Sequence, residues 1–139
     1  MKTKLLILTL FIGINLHAQR NLSPDAFMKY YIKVFNEENI VEVQKCYHFP
    51  HSVVEDGQII FNNKESEPVV NYETLKKTGW IYSKINDIKV ISEGVNTAVV
   101  EMEFSRFDKN DKPYFRTKMT YSLSKEKGYW QIINRTVVK

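Results

Sequence analysis

Cysteine is almost missing from this 139-residue chain, with Cys46 as the single instance. An internal disulfide is therefore excluded in any compartment, and the fold must be held by its core. Long apolar runs are also missing. The longest, from Leu5 to Ile14, is too short to span a bilayer. No block of like charge occurs, which removes the main support for a nucleic-acid partner. Repeats and low-complexity tracts are absent too. Hydrophobic residues make up 43% and charged residues 26%, so a globular domain is expected and disorder is not.

The N-terminus has its own pattern. MKTKLLILTLFIGINLHAQ carries two lysines, an apolar run, and a small and polar ending. That order is expected of a secretory signal peptide over residues 1–18, cleaved near Ala18. The product would be secreted or periplasmic, with no membrane contact after cleavage. No cysteine follows the run, so no lipid anchor is expected. Without Lys2 and Lys4 the formal charge falls from +4 to +2. One domain then spans 19–139, since this length supports a single core.

Ser23-Pro24-Asp25 combines a capping hydroxyl, a proline and an acid, a helix start. Phe27, Tyr30, Tyr31, Val34 and Phe35 draw one apolar stripe behind it. Asn36 to Asn39 interrupts the stripe, and a short second helix carries Ile40, Val43, Cys46 and Tyr47, with Pro50 as its stop. Asp56-Gly57 turns a hairpin between Ser52–Glu55 and Gln58–Phe61. Pro68 is expected to open a third helix through Val69, Val70, Tyr72 and Leu75, closed at Gly79. A strand over Trp80–Ser92 follows.

Period-two alternation then takes over. Ala98, Val100, Met102, Phe104 and Arg106 share a face, as do Phe115, Thr117, Met119, Tyr121 and Leu123. The last strand is expected to place Trp130, Ile132, Asn134 and Thr136 together. Helices followed by long antiparallel strands make an α+β domain: four long strands plus a short hairpin, curved around three N-terminal helices. On the wet face, Glu101 and Glu103 meet Arg116 and Lys118 across strands.

The segments YYIKVFNEENIVEVQKCYHFP, NTAVVEMEFSRFDKND and MTYSLSKEKGYWQI, in this order of elements, resemble the nuclear-transport-factor-2-like superfamily, which includes SnoaL-like proteins and ketosteroid isomerases. The resemblance implies a cone-shaped α+β barrel with an apolar pocket at its open end. Such a pocket would be lined by Tyr30 or Tyr31, the 48–55 stretch, Tyr82, Met102, Phe104, Thr117, Met119, Tyr121, Trp130 and Asn134. Laid on the ketosteroid-isomerase pattern, Tyr31 falls at the oxyanion-donating tyrosine and Glu55 at the carboxylate base. The second donor of that pattern is an acid, and Thr117 stands there instead.

The stretch CYHFPHSVVEDG leaves alternatives open. Glu55 is either a base or a solvated residue beside the turn. His48 and His51 either line the pocket as polar anchor or acid/base, or satisfy backbone groups where the helix ends. As metal ligands with Glu55 they would have to act together, but His48 has the opposite strand parity, so no metal and no cofactor is expected. Cys46 reads as a small apolar residue on a helix. Arg106 either meets an anionic ligand at the pocket mouth or pairs with Glu55 or Asp108. Tyr121 and Trp130 are core aromatics whose polar tips need partners.

Three functions fit. The first is an exported domain whose apolar pocket binds a small apolar molecule, with turnover left open by the sequence. The second is an isomerase- or dehydratase-type enzyme with Glu55 or His51 as base and Tyr31 as donor. The third is a homodimeric scaffold using the sheet's outer face.

Overall fold

The computed structural model describes residues 22–138. The leader expected over 1–18 lies outside the described residues. Three helices and six strands follow one another: α1 (Pro24–Asn36), α2 (Ile40–Lys45), β1 (Tyr47–Glu55), β2 (Gln58–Asn62), α3 (Tyr72–Lys77), β3 (Tyr82–Glu93), β4 (Thr97–Phe107), β5 (Pro113–Ser124) and β6 (Gln131–Val138).

Helix α1 begins as its sequence dictates, with Ser23 extended and Pro24 in the first turn. The Ser23 hydroxyl does not cap the backbone; it donates to Asp25 Oδ1 at 2.7 Å. The stripe Phe27, Met28, Tyr31, Ile32, Val34 and Phe35 is buried. Each such side chain contributes about 1.5–3 kcal/mol when fully buried.

Two helix boundaries differ from expectation. α2 stops at Lys45, so Tyr47 belongs to β1 and Pro50 lies inside a strand. α3 begins at Tyr72 instead of Pro68, because the Asn71 side chain caps it by accepting from Thr74 N at 3.0 Å. A side-chain acceptor for an otherwise unpaired N–H outweighs a proline four residues earlier.

All six strands form one curved, unclosed sheet in the order β2-β1-β6-β5-β4-β3. Every neighbouring pair is antiparallel except β1 and β6, which run parallel. The concave face holds α1 and the core: Val100, Met102, Phe104, Met119, Tyr121, Leu123, Trp130 and Ile132 are all buried there. The outer face carries the expected pairs, Glu103–Arg116 at 2.7 Å and Glu101–Lys118 at 3.2 Å.

Strand β6 corrects the alternation expected of it. Leu123 pairs with Ile132, but Ser122 pairs with Asn134, and a register shift separates them. Two residues of β6 thus advance against one of β5, which is a bulge. Beyond it the parity reverses. Arg135 stands opposite core-facing Tyr121 and Val137 opposite Met119, while Asn134 and Thr136 pair with Ser122 and Thr120 on the other side.

Candidate functional site

Curvature of the sheet around α1 leaves a cavity of about 30 Å³ at the centre of the cone, lined by Tyr31, Ile32, Phe35, Ser83, Phe104, Arg106, Met119, Tyr121 and Arg135. Aromatic rings fill the rest. Tyr31 packs edge-to-face on Phe35, Tyr47 and Tyr121, at centroid distances of 6.0, 5.8 and 6.4 Å. What remains holds about one water-sized group.

A larger recess of about 330 Å³ lies outside it, between α3 and the ends of β4 and β6. Its walls are Phe35, Val69, Val70, Asn71, Thr74, Leu75, Thr78, Arg106 and Arg135. Phe35, Arg106 and Arg135 line both spaces and form the partition between them.

The two arginines set the electrostatics. Burial lowers the Arg106 pKa, and Arg135 adds to that as a second positive charge. The Arg106 guanidinium lies over the Phe115 ring at 4.8 Å and near Phe104 at 6.0 Å, a cation–π contact that offsets part of the cost. The Arg135 pKa is raised by its neighbours Tyr47, Tyr31, Tyr121 and the Glu55 carboxylate, against the cost of its burial. The Nε atoms of both arginines are buried with no hydrogen-bond partner among the described residues. Among the described residues Arg106 makes no ion pair with Glu55 or Asp108. Asp108 instead accepts from the backbone N–H groups of Asn110 and Lys112, at 2.8 and 3.1 Å.

Tyr31 Oη lies 3.0 Å from Tyr47 Oη. Burial raises the pKa values of Tyr31 and Tyr121 well above that of an ordinary phenol, so both remain O–H groups. Tyr121 donates to Met119 Sδ at 3.4 Å. Ser83 Oγ accepts from the Trp80 indole at 3.0 Å.

Of the residues singled out in the sequence, Tyr31, Phe104, Arg106, Met119 and Tyr121 are brought together here. The others stand elsewhere. His51 is buried at 4% exposure, with its ring 4.7 Å from Tyr47 and 5.0 Å from Phe49 and its Nδ1 on the His48 carbonyl at 2.9 Å. Burial lowers its pKa. His48 spans the Pro50 carbonyl (3.0 Å) and Glu126 Oε2 (2.7 Å), tying β1 to the β5–β6 turn. Glu55 is exposed at the end of β1, opposite Gln58.

Tyr30 donates to Glu42 at 2.9 Å. Tyr82 stacks on Phe107 with centroids 4.9 Å apart and donates to Asp111. Thr117 pairs with Phe104 across the strands but lines neither space. Trp130 donates to the Leu22 carbonyl at 3.0 Å, and Asn134 donates to Ser52 Oγ at 2.8 Å. Cys46 ends α2, buried, and burial pushes its thiol up to about 12. Among the described residues no three histidine, cysteine, aspartate or glutamate side chains are grouped to hold a metal.

Sequence reasoning missed Arg135, Ser83, Tyr47 and Phe35 as site residues. Arg135 was hidden by the β6 bulge. The one signal for it was an arginine two residues from the C-terminal Val137-Val138 pair, in a strand whose start is firmly apolar.

The comparisons with known proteins agree with this geometry. Residues 23–139 match the family described as NTF2-like protein (DUF6841). The chain belongs to this NTF2-like family. Solved NTF2-like structures share its fold at low identity. The association domain of C. elegans CaMKII is 11% identical, covers 81% of this chain and 89% of its own, and superposes with a TM-score of 0.57. A protein provisionally named a ketosteroid isomerase from Shewanella frigidimarina is 12% identical, with 81% and 91% covered and a TM-score of 0.57. One provisionally named an aromatic ring hydroxylase, from Novosphingobium aromaticivorans, is 10% identical, with 86% and 87% covered and a TM-score of 0.62. No curated protein matches. The NTF2-like cone thus accounts for the architecture, and a fold of this kind does not by itself specify a function.

Proposed function

We propose that this NTF2-like domain binds a small molecule at the mouth of its cone and does not turn it over. The supporting observation is the 330 Å³ recess that meets the inner cavity across Phe35, Arg106 and Arg135. Its volume suits a small organic molecule, and Phe35, Val69, Val70 and Leu75 offer apolar walls. Among the described residues neither space is lined by a carboxylate, a histidine or a thiol that could act as a base near neutral pH. For that reason the isomerase-type alternative, with Glu55 or His51 as base, has less support.

A melting-temperature screen of purified domain against small apolar and amphipathic compounds tests the proposal. Ligands that bind only the native state raise the midpoint with concentration. The expected result is a dose-dependent rise that Val70→Trp abolishes by filling the recess. A flat response across the panel overturns the proposal.

Two further parts of the proposal concern context. Export through the leader over 1–18 is tested by the mass of the mature protein, expected to begin near Gln19. A homodimer through the outer face has weaker support, because Glu101, Glu103, Arg116 and Lys118 make that face charged and paired within one chain. Light scattering distinguishes monomer from dimer.

A further inference from the structure

The mouth of the cone holds more hydrogen-bond donors than acceptors. Arg106 and Arg135 each present a buried Nε–H that no group among the described residues accepts. Tyr31 lines the cavity, and its contact with Tyr47, which lies behind it, uses only one of their two phenolic protons. Ser83 Oγ already accepts from Trp80 and keeps its own proton to give. Two guanidinium charges share this space; among the described residues no carboxylate lines it, and Glu55, at the end of β1, acts on Arg135 from outside. Buried donors without acceptors, and like charges side by side, are both costly unless something arrives to compensate them.

Building on the ligand-binding reading above, we propose that the ligand is a carboxylate on an apolar body, with its two oxygens received between Arg106 and Arg135 and its body in the recess beside Val69, Val70 and Leu75. A carboxylate supplies acceptor sites only, about four lone pairs on two oxygens, which matches the surplus of donors. The planar guanidinium matches it in shape and charge. A tetrahedral phosphate suits the site less well, because the inner cavity is about 30 Å³ and its walls besides the arginines and Ser83 are the bulky side chains of Tyr31, Ile32, Phe35, Phe104, Met119 and Tyr121.

Calorimetric titration of the full mature domain at pH 7 tests this with 3-phenylpropanoate, 3-phenylpropanamide, 3-phenylpropan-1-ol and inorganic phosphate. The acid is expected to bind at least about tenfold more tightly than the amide or the alcohol, as a charge-assisted contact provides. Arg106→Gln and Arg135→Gln are expected to remove that preference while weak binding of the amide persists. Equal binding of acid, amide and alcohol overturns the carboxylate assignment but leaves a binding recess standing. Phosphate binding as tightly as the acid overturns it in favour of a general anion site. If none of the four binds, both the assignment and the binding proposal beneath it fail. Should either arginine variant not fold, Arg106→Lys and Arg135→Lys keep the charge but lose the planar fork, and an unchanged preference in both then overturns the assignment.

Discussion

The phenolic oxygens of Tyr31 and Tyr47 lie 3.0 Å apart, on rings exposed by only 3% and 2%. One comes from α1 and the other from β1, so the contact fixes the helix against the sheet. Tyr31→Phe would leave the Tyr47 hydroxyl buried without this partner, at a cost of about 1–3 kcal/mol. The double variant Tyr31→Phe/Tyr47→Phe is expected to lose less than the sum of the singles, since both halves of the contact go together. Urea unfolding of the four proteins measures the coupling. Strict additivity would show that the pair contributes nothing.

Asn36 makes a two-way contact at the end of α1. Its Nδ2 donates to the Ser83 carbonyl and its Oδ1 accepts from Ser83 N, both at 2.8 Å. Asn36→Ala removes both and strands a buried N–H on β3, an edge strand. A loss of about 1–3 kcal/mol is expected, together with faster amide exchange at Ser83. Unchanged exchange there would contradict the assignment.

His51 makes stability depend on pH. Burial depresses its folded pKa below the unfolded value of about 6.5, so the folded state favours the neutral ring. The stability associated with that preference is complete above about pH 6.5. It is lost as the pH falls through that value toward the lower folded pKa. Melting curves from pH 7.5 to 5 should show a fall that His51→Gln reduces. An identical fall in both proteins would assign the effect to other groups.

Cys46 is 1% exposed, and burial pushes its thiol up to about 12. Reaction with a thiol reagent at pH 8 should be slow in the folded domain and fast in denaturant. Rapid labelling under native conditions would show that α2 opens locally.

Arg106 and Arg135 stand together in the lining of one small cavity, at an electrostatic cost to each fold that contains them. Arg106→Met keeps a long side chain against Phe115 while removing a charge. Its melting temperature without ligand is expected to equal or exceed the parent's, the pattern of a site that gives up stability for function. A clear drop would mean that the cation–π contact outweighs the repulsion.

The sequence by itself determined the elements and the fold class. Apolar spacing in 27–35 can be satisfied only by one buried helical face, and alternation over 98–106 and 115–123 only by a strand with one face in the core. Asp56-Gly57 determined the hairpin in the same local way, with both residues at positive φ in the turn. Only the tertiary structure decided which polar groups face inward. The pairing of β1 with β6 joins residues some eighty positions apart, which no local pattern encodes. The β6 bulge then exchanges Asn134 for Arg135 on the concave face, because a side-chain period of two turns a one-residue slip into a change of side.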